Sequence, residues 1–282
     1  MKKEGFTLIE LLVVIAIIAI LMAILMPALN LVKRMASTSV CLSNTKNLAM
    51  GWYMYMQDNE GHIMSADDAG GNEGQGFIGW IGIPRDAAGS MMSNNQTAPE
   101  VTDEDEIRGI EAGLLFPYVK EPKTYHCPEN TRIISPFDGS RIYVGYSIPM
   151  CLNGLPNQDS SQQIKNYNKI IQPSTRYVFV ENTEARNWTQ GHHFYLAAPE
   201  YTGQRDWGWW SPMSINHGDR SVLGFCDGHA EVRKWRDKFT IERVDKLANA
   251  PGGLYGQEYP PADQQSDIEY MAKGWAFRLR GR

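Results

Sequence analysis

The residues best suited to chemistry lie late in the chain, in NHGDRSVLGFCDGHAEV, where His217 is followed by nine residues and then by Asp227 and Gly228. A His–Asp pair can orient a general base, but it needs a nucleophile or a metal within reach. The chain carries no G-x-S-x-G, H-E-x-x-H or Cys-x-x-Cys pattern to supply one. The simpler role for His217 is to hydrogen-bond the hairpin and hold its strand register. No catalytic residue is therefore assigned, the protein is read as a non-enzyme, and an exported hydrolase using His217 and Asp227 stands as an alternative. The four cysteines, Cys41, Cys127, Cys151 and Cys226, are too widely spaced for a zinc knuckle, and no metal ligand is assigned. Calcium wants several oxygen ligands from a flexible loop. Asp67, Asp68, Asn72 and Glu73, or Asp103, Glu104 and Asp105, offer them, but neither set matches the twelve-residue EF-hand pattern. A solvated acidic loop is the simpler reading, and no cofactor is expected.

One more ionisable group stands in an unusual place. Between Phe6 and Val32 the only such side chain is Glu10, and these 27 residues exceed the ~20 that a helix needs to cross a hydrocarbon core. A secretory signal would have an apolar region of about 7–15 residues closed by a small-residue cleavage site. Here the run is longer and no such site ends it near MPALN, so the apolar segment is expected to be retained. An isolated charge in a membrane helix costs several kcal/mol by most estimates, so Glu10 calls for a partner. Pro27 removes a backbone hydrogen bond and should kink or loosen the helix around residues 23–27. Beyond it, Cys41, Leu48, Trp52 and Tyr55 fall on one helical face, and Asp58, Asn59 and Gly61 supply a stop. One helix from Phe6 to about Asn59 results, apolar over 6–32 and amphipathic over 33–60.

The remainder reads as an α+β body over 61–249, with an irregular segment over 250–282. RIYVGYSI (141–148), TRYVFVE (175–181) and HFYLA (193–197) have the composition of strands. SVLGFC and HAEVRKW flank Asp227-Gly228, a strong hairpin signal in which both turn positions favour positive φ. Short connections argue for an antiparallel meander without parallel pairing. Residues 61–125 are rich in Gly and Asp, with a short helix expected around Glu104 to Phe116. A last amphipathic piece, IEYMAKGWAFRLRGR, ends in three arginines read as a solvated tail. The RDWGWWSP cluster is either packing or an aromatic platform for polysaccharide. A net charge of −5 and the lack of a basic stripe give no support to nucleic-acid binding.

The basic leader MKKEG, followed by Phe6, Thr7, Leu8, Ile9, Glu10 and a long apolar helix, resembles the prepilin signature of type IV pilins and type II secretion pseudopilins. The resemblance implies a pilin-like fold, with the long helix packed on an antiparallel sheet. It also implies a leader at 1–5, cleavage between Gly5 and Phe6 by prepilin peptidase, and N-methylation of Phe6. Glu10 would then dock on the new amine of Phe6 in a neighbouring subunit, and a proline near position 27 is common in such helices. The chain would be a single-pass inner-membrane protein before assembly, and afterwards part of a helical homopolymer, as a periplasmic pseudopilus or an extracellular filament. An inner-membrane assembly platform with a separate ATPase would drive assembly. The His217-to-Asp227-Gly228 spacing, CLSNTKNLAMGWYMYMQDNEG, and LLFPYVKEPKTYHCPEN are similar to a subgroup of pseudopilin-like proteins. Export to an oxidising compartment favours disulfides. Cys41 with Cys127 is the preferred pair and Cys151 with Cys226 the remaining one, although the connectivity stays open and the second pair is equally well read as buried thiols. A displayed polysaccharide-binding module, using Trp207 to Trp210, is the main functional alternative.

Overall fold

The computed structural model describes residues 8–66, 79–92, 101–129, 143–154, 163–182, 193–211, 213–248 and 257–277. Gly5 and Phe6, the acidic group at 67–73, the first two residues of the strand expected at 141–148, and Arg278, Arg280 and Arg282 lie outside them.

Helix α1, Leu8–Asp58, is 51 residues long and runs through Pro27 without interruption. A straight helix of this length spans roughly 77 Å. It ends where the sequence places its stop: Glu60 and Gly61 take positive φ, and the amide of Gly61 donates to Met56 O at 2.9 Å. The second half buries Cys41, Thr45, Leu48, Ala49, Trp52 and Met56 on one stripe, while Tyr55 is half-buried beside the ring of Tyr118.

Strands β1 (Tyr146–Pro149), β2 (Tyr177–Glu181), β3 (His193–Phe194), β6 (Arg220–Phe225) and β7 (Ala230–Lys234) form one sheet in the order β3-β1-β2-β6-β7. Strands β4 (Leu196–Ala197) and β5 (Gly208–Trp209) form a separate antiparallel pair. This corrects the meander. β3 pairs in parallel with β1, Ile148 opposite His193 and Pro149 opposite Phe194, so the sheet is mixed. The run read as one strand over 193–197 is divided at Tyr195, with each half joining a different sheet. In the chain, β3, β4 and β5 come between β2 and its sheet neighbour β6, in place of the expected short connection.

Helix α1 lies across β6, β7 and β2. β6 is buried over five of its six residues because α1 covers the face that the strand would otherwise expose. Helix α2, Asp103–Glu111, is shorter than the expected Glu104 to Phe116 and starts with a capping box between Thr102 and Asp105. A short helix, α3 (Pro199–Thr202), precedes β5. Helices α4 (Lys238–Ala248) and α5 (Ser266–Gly274) follow the sheet, and α4 has no counterpart in the elements expected from sequence.

The β6–β7 turn differs in detail from the expected one. Gly228 has φ +92° but Asp227 is not among the residues with positive φ. The Gly228 amide donates to Phe225 O and the Phe225 amide to His229 O, the arrangement of a three-residue loop that closes on a left-handed glycine.

Candidate functional site

Two features of the fold have functional character. The first is the N-terminal half of α1. Residues 8–36 are all exposed, and from Leu8 to Val32 they are apolar except for Glu10 and Asn30. This is the described helix long and apolar enough to cross a membrane. Glu10 lies in its first turn and is exposed, and Pro27 sits within its exposed length. The 25 residues from Leu8 to Val32 span roughly 37 Å, more than a hydrocarbon core of about 30 Å. Among the described residues, no part of the body covers this surface.

The second feature is a buried quartet where α1 meets the sheet. Cys41 comes from α1 and Cys127 from the loop after the 3₁₀ turn Pro122–Tyr125. Glu181 ends β2, and His217 lies in the turn before β6. All four are buried, Glu181 completely and His217 to within 3%. The two sulfurs are 2.6 Å apart, His217 Nε2 stands 3.5 Å from Cys127 Sγ and 3.0 Å from Glu181 Oε1, and the four ligand atoms lie within 4.8 Å of one another.

The local structure explains why they meet. Ser37 Oγ donates to Glu129 Oε1 at 2.6 Å, and Asn44 Nδ2 donates to His126 O at 3.1 Å. Both lie about one helical turn from Cys41, so the loop is clamped on either side of Cys127. The Val222 amide of β6 donates to Glu181 Oε2 at 2.8 Å, which holds the carboxylate and leaves its other oxygen toward His217. The His217 amide donates forward to Arg220 O at 3.4 Å.

The electrostatics follow from these contacts. Burial alone would lower the basicity of His217, but its contacts with Cys127 and Glu181 outweigh burial and push its pKa up to about 10. Contact with Cys41 and burial push the Cys127 thiol upward. Burial likewise raises the Tyr146 hydroxyl, helped by the nearby Cys41 and Glu181.

The structure brings together Cys41, Cys127 and His217 of the sequence-assigned residues, and adds Glu181, which sequence reasoning did not single out. It does not pair His217 with Asp227. Asp227 instead contacts the His229 ring at 2.5 Å, and both are exposed. Thus His217 binds across β2, not to the Asp-Gly turn. All four cysteines are free and buried. Burial and the adjacent Cys151 push the Cys226 thiol up, which places those two near each other as well. The acidic cluster at 103–105 is used by the helix: Asp105 accepts from the Thr102 amide and hydroxyl and pairs with Arg108.

The tryptophan cluster takes part in packing, with Trp209 alone of its three rings buried. Trp209 is buried against Trp235, the Trp207 ring packs on Trp275, and Trp210 on Tyr195. The Arg243 guanidinium donates to Trp210 O at 2.9 Å. Trp207 and Trp210 are half-buried and keep part of their surface exposed.

Residues 1–26 match the family model of the prokaryotic N-terminal methylation motif. No curated protein and no solved structure gives a significant match to this chain. The matched segment contains Gly5, Phe6 and Glu10 and continues into the exposed apolar half of α1. The motif and the helix together support a prepilin-like substrate of prepilin peptidase that inserts in the inner membrane.

Proposed function

We propose that the chain is a structural subunit of a type IV pilus-like or type II secretion pseudopilus filament, built through its N-terminal helix. The observation that carries this reading is the continuity of α1. An uncovered apolar half, matched by the methylation motif, passes without a break into a half that is packed into the body. A plain membrane anchor needs neither this rigid coupling nor a carboxylate in its first turns.

In the membrane the apolar half is surrounded by acyl chains. In the filament it is surrounded by the same half of neighbouring subunits, so the apolar surface stays out of water throughout. Cleavage between Gly5 and Phe6 creates an amine on Phe6, and Glu10 of the next subunit neutralises it. A misregistered subunit leaves a charge without its partner in an apolar setting, which makes register selective. An assembly platform with its own ATPase supplies the work. The body is then displayed on the outside.

The test is genetic. In cells lacking prepilin peptidase the chain should remain at full length in the membrane and vanish from material sheared off or released from the envelope. Its undiminished appearance there as a polymer would overturn the reading.

A further inference from the structure

We propose that Cys41, Cys127, Glu181 and His217 form a closed tetrahedral site for zinc that ties α1 to the sheet. The proposal rests on the buried geometry and stands apart from the filament reading.

The donor set suits the ion. Zinc takes thiolate, imidazole and carboxylate ligands, and its structural sites are four-coordinate and closed to solvent. The quartet offers two sulfurs, one nitrogen and one oxygen, all buried. Bond lengths of about 2.3 Å to sulfur and about 2.1 Å to nitrogen and oxygen set tetrahedral edges of about 3.4 Å from nitrogen to oxygen and about 3.6 Å from nitrogen to sulfur. The corresponding distances here are 3.0 and 3.5 Å. The sulfurs, at 2.6 Å, must part by about 1.2 Å to reach the tetrahedral edge, a rotation of one cysteine side chain.

Charge and satisfaction point the same way. Three acidic groups share one imidazole, and among the described residues no lysine or arginine is a partner of the four. Buried groups of this kind are stable when paired or bound to a metal. Zinc would take both sulfurs as thiolates and Glu181 through Oε1, while Oε2 keeps its bond to the Val222 amide. That bond and the Ser37 and Asn44 clamps would orient the ligands. The ligands come from α1, a loop, β2 and the turn before β6, so one ion would cross-link elements far apart in the chain: Cys41 and Cys127 are 86 residues apart, and Cys127 and His217 are 90 apart. A Cys41–Cys127 disulfide would use the same sulfurs and exclude the ion.

The test uses the full chain, purified in detergent without added metal or chelator. Metal analysis should find stoichiometric zinc, and alkylation followed by mass spectrometry should find Cys41 and Cys127 unlinked. Replacement by Co²⁺ should give a thiolate-to-cobalt charge-transfer band with tetrahedral visible bands. Cys127→Ser should abolish that band, and Glu181→Gln, which keeps the carboxylate's shape, should weaken Co²⁺ binding by roughly tenfold or more. Cys226→Ser should leave it unchanged. A metal-free protein with Cys41 and Cys127 bonded, or cobalt binding without thiolate bands, would overturn the site.

Discussion

Gly224 of β6 lies directly beneath Thr45 of α1: a Cβ on the glycine would stand 2.9 Å from Thr45 Cγ2 and 3.3 Å from the Ala49 Cβ. The helix approaches the strand this closely because both sides of the contact are small. The docked half of α1 is therefore held by a backbone-to-helix fit that a larger residue would wedge apart.

Gly224→Val should destabilise the body by about 1–3 kcal/mol, the usual cost of overpacking a tight core. Thermal unfolding of the detergent-solubilised chain checks it. An unchanged melting temperature would mean that α1 is not seated on β6 as described.

In the β6–β7 turn, Gly228 carries the positive φ and Asp227 does not. Gly228→Ala should cost about 1–2 kcal/mol, because an L-residue is strained there, and must also displace the Met50 side chain. Asp227→Ala, at an exposed position, should stay within about 0.5 kcal/mol. Equal losses from both would indicate a role for Asp227 beyond the turn.

Asp105 gives the acid dependence a sign. Burial raises its pKa, but bonds from the Thr102 amide and hydroxyl and from Arg108 prevail and hold it below the ordinary 3.8. A folded value below the unfolded one means the contribution is complete above 3.8 and fades as pH falls through the lower folded value. Asp105→Ala should therefore cost about 0.5–1 kcal/mol at neutral pH, as for a lost cap, and nothing at strongly acidic pH. Unfolding curves of both proteins across acidic pH test this, and a constant difference would contradict it.

Glu10→Ala should leave the amount of chain in the membrane unchanged, since the apolar length that drives insertion is intact. Polymer in the sheared or released fraction should fall by about tenfold or more if docking costs even 1.4 kcal/mol per contact. Abundant normal filaments from this variant would remove Glu10 from the assembly mechanism.

How much of this was legible beforehand depends on how local each signal is. The long helix is written in an uninterrupted apolar run and a stripe through Cys41, Leu48 and Trp52, so its span and its stop near Asp58 are readable from neighbours in the chain. The proximity of Cys41 to Cys127 follows from two cysteines placed on that stripe and in a loop able to face it. Glu181 gave no such cue, because in YVFVE it looks like the polar end of a strand. Its burial arises only when Val222 and His217 close over it from residues 36 and more positions away. The same applies to β3. Its parallel pairing with β1 sets Ile148 beside His193, 45 positions on, and composition does not record so distant a register. Asp227 was readable as part of a turn, whereas its separation from His217 was not, since the spacing that brings β6 between them also carries Asp227 to the far end of the strand.

The first measurement to make is mass spectrometry of the N-terminal peptide from native protein, taken separately from membrane and from sheared or released material. The account predicts N-methyl-Phe6 as the first residue, present in both fractions, with the apolar half of α1 retained. A mature chain beginning beyond Pro27 would contradict it, because the segment assigned to the filament core would then have been discarded.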